Sequence, residues 1–75
     1  MSYSLECKKV REQLGLSQAA FSKLMGLHSM TVSRWERGII EIPRSSLVLI
    51  RLLRAEIITP FDIRLMESKY GLLND

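Results

Sequence analysis

Residues 14 to 38 read Leu14-Gly-Leu-Ser-Gln-Ala-Ala-Phe-Ser-Lys-Leu-Met-Gly-Leu-His-Ser-Met-Thr-Val-Ser-Arg-Trp-Glu-Arg-Gly38 and fill a third of the 75-residue chain. The spacing predicts two short helices joined by a tight turn. Ser17 can cap the first, because its hydroxyl can accept from an otherwise unpaired first-turn amide, and Phe21, Leu24 and Met25 form the apolar face. Gly26 ends that helix, since glycine takes the left-handed backbone without steric penalty. In the second helix Val32 and Trp35 are three apart and point inward, which leaves Ser29, Met30, Ser33, Arg34 and Arg37 facing outward. Short polar groups and arginines on one helical face are suited to reading base edges.

Working outward, the pattern predicts an all-α chain of five helices, over residues 4–14, 18–25, 29–37, 44–56 and 60–70. A chain of this size forms one domain, here residues 1–75, and buries only about 60% of its unfolded surface. No alternating strand pattern competes with the three- and four-residue spacing of the apolar residues. Pro43 disfavours helical geometry at Ile42, so residues 38–43 read as a loop before the fourth helix. In that helix Leu49, Ile50, Leu53 and Ile57 make one stripe, and Val48 and Leu52 a second. The fifth helix has Thr59 as N-cap, Pro60 in the first position and Asp62 in the first turn, with Ile58 and Ile63 as a hydrophobic staple. Ile63, Met66 and Tyr70 give its apolar face and Gly71 its stop.

Composition narrows the function classes. Residues 8–44 carry seven basic side chains against three acidic ones, an excess of four, whereas residues 45–75 balance to zero. The surplus therefore lies on the segment with the two-helix motif, as expected of a nucleic-acid face. A single cysteine excludes an internal disulfide. Cys7 shares a stripe with Tyr3, Val10 and Leu14 and reads as a small buried apolar group. The longest apolar run, residues 47–50, is far short of the ~20 residues that span a bilayer, and the N-terminus lacks a signal-peptide pattern, so a cytoplasmic protein with no membrane association is expected. With one histidine, no phosphate-binding glycine loop and no metal-ligand set, neither catalysis, a metal nor a cofactor is expected.

From Gln13 to Arg44 the chain resembles the helix-turn-helix domain of the phage Cro and repressor family, also called the xenobiotic-response-element type. The resemblance rests on Leu14-Gly15-Leu16-Ser17-Gln18, Phe21, Leu24, Gly26-Leu27, the run Thr31 to Gly38, and Pro43-Arg44. It implies a compact five-helix, lambda-repressor-like fold that binds double-stranded DNA as a transcription regulator. Ser29, Met30, Ser33 and Arg34 match the base-reading positions of a recognition helix in the major groove. Gln18 looks like a phosphate-clamping glutamine, Arg44 matches a minor-groove position, and Lys23, His28 and Arg37 are further candidates for the backbone. Arg11 and Glu36 resemble an internal ion pair tying the first helix to the third.

Departures from the family pattern set further expectations. His28 stands where a serine or threonine usually caps the recognition helix, so this helix starts with less support unless Ser29 takes the role. Ser22 replaces the usual alanine at a close helix contact and is small enough to fit. The loop Ile39-Ile40-Glu41-Ile42 offers three isoleucines and an acid where basic or polar residues are common. Some of the isoleucines are expected to cover the core, the others to meet a second copy or a partner protein. The leading function is a repressor that occupies an operator as a homodimer, formed on its own or only on DNA, through the fifth helix, the tail and exposed leucines of the fourth. The alternative is a protein-binding adaptor or antitoxin-like protein on the same fold.

Overall fold

The apolar spacing resolves into five helices: α1 (Ser4–Gln13), α2 (Gln18–Leu24), α3 (Thr31–Glu36), α4 (Arg44–Arg54) and α5 (Pro60–Tyr70). The computed structural model describes residues 3–70, without the side chain of Tyr70, and contains no strand among them. The expected stop at Gly71 and the tail 72–75 lie outside the described residues, as does Tyr70's part in the α5 face.

Each of the first four helices gives two side chains to one buried cluster. These are Cys7 and Val10, Phe21 and Leu24, Val32 and Trp35, and Ile50 and Leu53. Burying side chains of this size contributes about 1.5–3 kcal/mol each. Short helices with two inward residues apiece have little stability alone, so this shared cluster holds them. Burial pushes the Cys7 thiol up to about 12, with the Glu36 charge adding to it. The thiol is therefore inert. Tyr3, expected in the same stripe, lies outside the core, and the Arg51 guanidinium sits over its ring 5.1 Å from the centroid. Glu6 on α1 accepts from Arg51 at 3.0 Å and from Arg54 at 3.4 Å, which fastens α1 to α4.

Among its described residues α5 adds no fully buried one, and it touches the rest chiefly through α2. Its start follows the expected chemistry and completes it. The Thr59 hydroxyl accepts from the Asp62 amide at 3.2 Å, while Asp62 accepts from the Thr59 amide at 2.7 Å, a reciprocal capping box. Ile58 and Ile63 pack against the core's side. Met66, expected on the buried face, is 45% exposed and lines an open groove with Leu24, Met25 and Leu49.

Two helix ends differ from the sequence reading. α3 begins at Thr31 rather than Ser29, for reasons given below. α4 stops at Arg54, short of Glu56, and the chain turns through a left-handed residue there. The Glu56 amide donates to Leu53 O at 3.1 Å and the Ile57 amide to Leu52 O at 3.1 Å, with Glu56 at φ +60°. This is the same two-bond closure that ends α2, where Gly26 at φ +75° and Leu27 donate back to Lys23 O and Ser22 O. At α4 a side chain occupies the glycine position. Ile57 consequently leaves the Leu49–Ile50–Leu53 stripe and is 69% exposed. Because left-handed backbone costs a residue with a Cβ about 1–2 kcal/mol, Glu56→Gly is expected to stabilise the protein by about 1 kcal/mol. A urea unfolding curve checks this: the midpoint rises and the slope stays unchanged.

Candidate nucleic-acid interface

The α2–turn–α3 unit presents its second helix through bonds at both ends. At the start, no residue just before Thr31 caps α3 in the usual way, because Met30 has no side-chain oxygen. Three other contacts take over. His28 Nδ1 accepts from the Met30 amide at 3.3 Å, and His28 O accepts from the Thr31 amide at 3.0 Å. Ser22 Oγ, on α2, accepts from the Val32 amide at 3.0 Å. These bonds hold Ser29 and Met30 in a turn, which is why α3 starts two residues late. As expected from His28, α3 has no side-chain N-cap; its first turn is supported from α2 by Ser22 instead, and Ser29 does not take the capping role.

At the other end Glu36 is held by three donors. Arg11 Nε and Nη2 donate to its two oxygens at 2.7 and 3.0 Å, and Gln18 Nε2 donates to Oε1 at 3.0 Å. A third Arg11 N–H donates to Leu16 O at 2.9 Å. The Ser4 hydroxyl donates to Trp35 O at 2.7 Å, adding a bond from the start of α1. The Arg11 and Glu36 side chains are only 13% and 5% exposed. Burial pushes the Glu36 carboxyl up, but the hydrogen bonds from Arg11 and Gln18 and the charges of Arg11 and Lys8 outweigh it and hold it below its ordinary range.

Between these anchors, Ser29, Met30, Arg34 and Arg37 are exposed and Ser33 is half-buried. Arg34 and Arg37, three apart, share a face. Arg44 opens α4 beyond the loop and is exposed. Lys23 is also exposed, but it lines a shallow groove with Arg64 and Glu67 of α5. Five residues from Gln18, it points about 140° away around α2. Gln18 itself is half-buried, and one amide hydrogen is spent on Glu36, so it belongs to the inner network as well as to the surface. Among the described residues Lys23, Arg34, Arg37 and Arg44 have no carboxylate partner, whereas Arg11, Arg51 and Arg54 are paired.

In the loop, Ile42 packs on the core, while Ile39 and Ile40 are 58% and 44% exposed. Glu41 is exposed beside them. The sequence reading did not find the roles of Ser22 and Ser4. The one available signal for Ser22 was a hydroxyl at a close helix contact two positions before the end of α2. Among the described residues no group of histidine, cysteine or acidic side chains is placed to hold a metal, and no helix is long and apolar enough to cross a membrane.

Residues 8–55 match the family model described as Helix-turn-helix, and the chain belongs to that family, in its Cro/repressor type. It is a DNA-binding domain of transcription regulators, a family of double-stranded-DNA binders that is not typically enzymatic. No curated protein and no solved structure matches the chain significantly. The match spans most of α1 through α4 and leaves α5 outside.

Because the folded state lowers the Glu36 value, its stabilisation is complete above the unfolded carboxyl's pKa of about 4.3 and is lost as pH falls through the folded value. Glu36→Gln is expected to cost about 3 kcal/mol at pH 7. Its stability should also vary less than the wild type's between pH 7 and pH 3, as read by denaturant titration at each pH.

Proposed function

We propose that this protein is a sequence-specific repressor that occupies an operator with α3 in the major groove. The observation that supports this reading is the segregation of charge. Among the described residues three of the four arginines away from the reading face, Arg11, Arg51 and Arg54, are spent on Glu36 and Glu6, with Arg64 on α5 the exception, while Arg34, Arg37 and Arg44 stand without carboxylate partners around α3. In this reading Ser29, Met30, Ser33 and Arg34 face the bases. Arg34 is the one side chain able to make a bidentate bond to guanine, and Met30 offers apolar contact to a thymine methyl. Gln18 uses its second amide hydrogen, and His28 and Arg37 their outward atoms, on phosphates; Arg44 enters the minor groove. Lys23, turned toward α5, contributes long-range attraction instead of a fixed contact.

One recognition helix of six residues gives little affinity, so the reading includes a twofold homodimer on half-sites about 34–36 Å apart. Ile57, Phe61 and Leu65 support it. They are 69%, 69% and 48% exposed, and Phe61 and Leu65 lie one helical turn apart on α5. A second reading, a protein-binding adaptor on the same fold, is favoured by one observation: Ile39 and Ile40 are exposed next to Glu41, which repels phosphate.

Titration of labelled duplexes with wild type, Arg34→Ala and Arg44→Ala at two salt concentrations separates the readings. Affinity should fall steeply with salt. Arg34→Ala should weaken the preferred duplex by about 1–3 kcal/mol, and Arg44→Ala should reduce the salt slope by about one. Binding that is indifferent to salt and to both substitutions would sink the repressor reading.

A further inference from the structure

We infer that Ser22 is a positioning residue for DNA recognition: from within α2, its hydroxyl fixes the first turn of α3 where Ser29, Met30, Ser33 and Arg34 read bases. The inference rests on the sequence-specific reading above and adds a residue that never touches DNA.

Ser22 is fully buried, and it serves both helices of the motif. Its carbonyl accepts from the Leu27 amide at 2.9 Å, closing α2, and its hydroxyl accepts from the Val32 amide at 3.0 Å, opening α3. One residue thus sets where the first helix stops and where the second starts. An alanine would keep the first bond and lose the second. Val32 is fully buried, so its amide would then be left without a partner in a place water does not reach.

Relief would come from the start of α3. Its other end is fixed by Ser4 on Trp35 O and by Arg11 and Gln18 on Glu36. At the start, the remaining side-chain support is the longer 3.3 Å bond to His28 Nδ1. Loss of the Ser22 hydroxyl therefore misplaces Ser29 and Met30 while the core persists. Attraction to phosphates tolerates such a shift; donors aimed at base edges do not.

The experiment compares wild type, Ser22→Ala and Ile50→Val. The last removes one buried methyl group from α4, which packs chiefly against α1, as a matched structural loss away from the reading face and from the proposed dimer contact. The probes are the duplex that wild type selects from a random pool and a scrambled duplex of equal length. Ser22→Ala is expected to reduce the preference for the selected duplex about tenfold, with unchanged affinity for the scrambled one. Ile50→Val should keep the wild-type preference. In addition, the Val32 amide proton of the wild type should exchange as slowly as core amides such as that of Trp35. A preference retained by Ser22→Ala, an equal loss in Ile50→Val, or fast exchange at Val32 overturns the inference alone. A wild type that selects no duplex overturns the sequence-specific reading and this inference with it.

Discussion

The Arg11–Glu36 pair is the contact on which the DNA-binding unit depends. Through it α1, the turn at Leu16, the start of α2 at Gln18 and the end of α3 meet at one carboxylate and one guanidinium. A buried ion pair stabilises only when its remaining donors and acceptors are satisfied. Here Leu16 O and the Gln18 amide supply those partners, and no buried side-chain polar atom is left unpaired among the described residues. The geometry is directional, unlike the apolar contacts beneath it. Val32 and Trp35 attach α3 to the core, and the polar bonds set its orientation.

That division explains how a helix of six residues can be held rigidly enough for the reading role proposed for it. Alone it would be too short to persist. Its length is compensated by bonds from other elements: Ser22 at one end, Ser4 and Arg11 at the other. The outward face is relieved of structural duties and carries unpaired arginines. On the far side Glu6 gathers Arg51 and Arg54, and the hydrogen bond from Arg51 is the main influence holding its carboxyl below the ordinary range. The modest net charge of +3 therefore understates the unpaired positive charge around α3.

Most of the fold was legible because its signals are local. Ser17 caps α2 with its hydroxyl on the Ala20 amide, Gly26 takes the left-handed turn, and Thr59-Pro60-Phe61-Asp62 begins α5 as those residues read. The misses also have a common form. Extending α4 to Glu56 followed from a stripe that included Ile57, and no glycine marked the turn that ends the helix. Starting α3 at Ser29 followed from side-chain periodicity, whereas the boundary was set by His28 and Ser22. The isoleucine loop was legible only as a mixture, and the structure separates Ile42, on the core, from Ile39 and Ile40, on the surface.

The sequence by itself determined the helical class, apolar stripes that contain the two buried residues of each core helix, and the inward pair Val32 and Trp35 of α3, because spacing of 3.6 residues per turn and terminal capping are properties of adjacent residues. Tertiary structure alone decided how α3 is held and aimed. A hydroxyl 10 positions away and a guanidinium 25 positions away supply the bonds at its two ends. Such partners are chosen by packing in three dimensions: the Arg11–Glu36 pair was legible only through the family resemblance, and nothing in the local pattern of either segment announces the Ser22 hydroxyl.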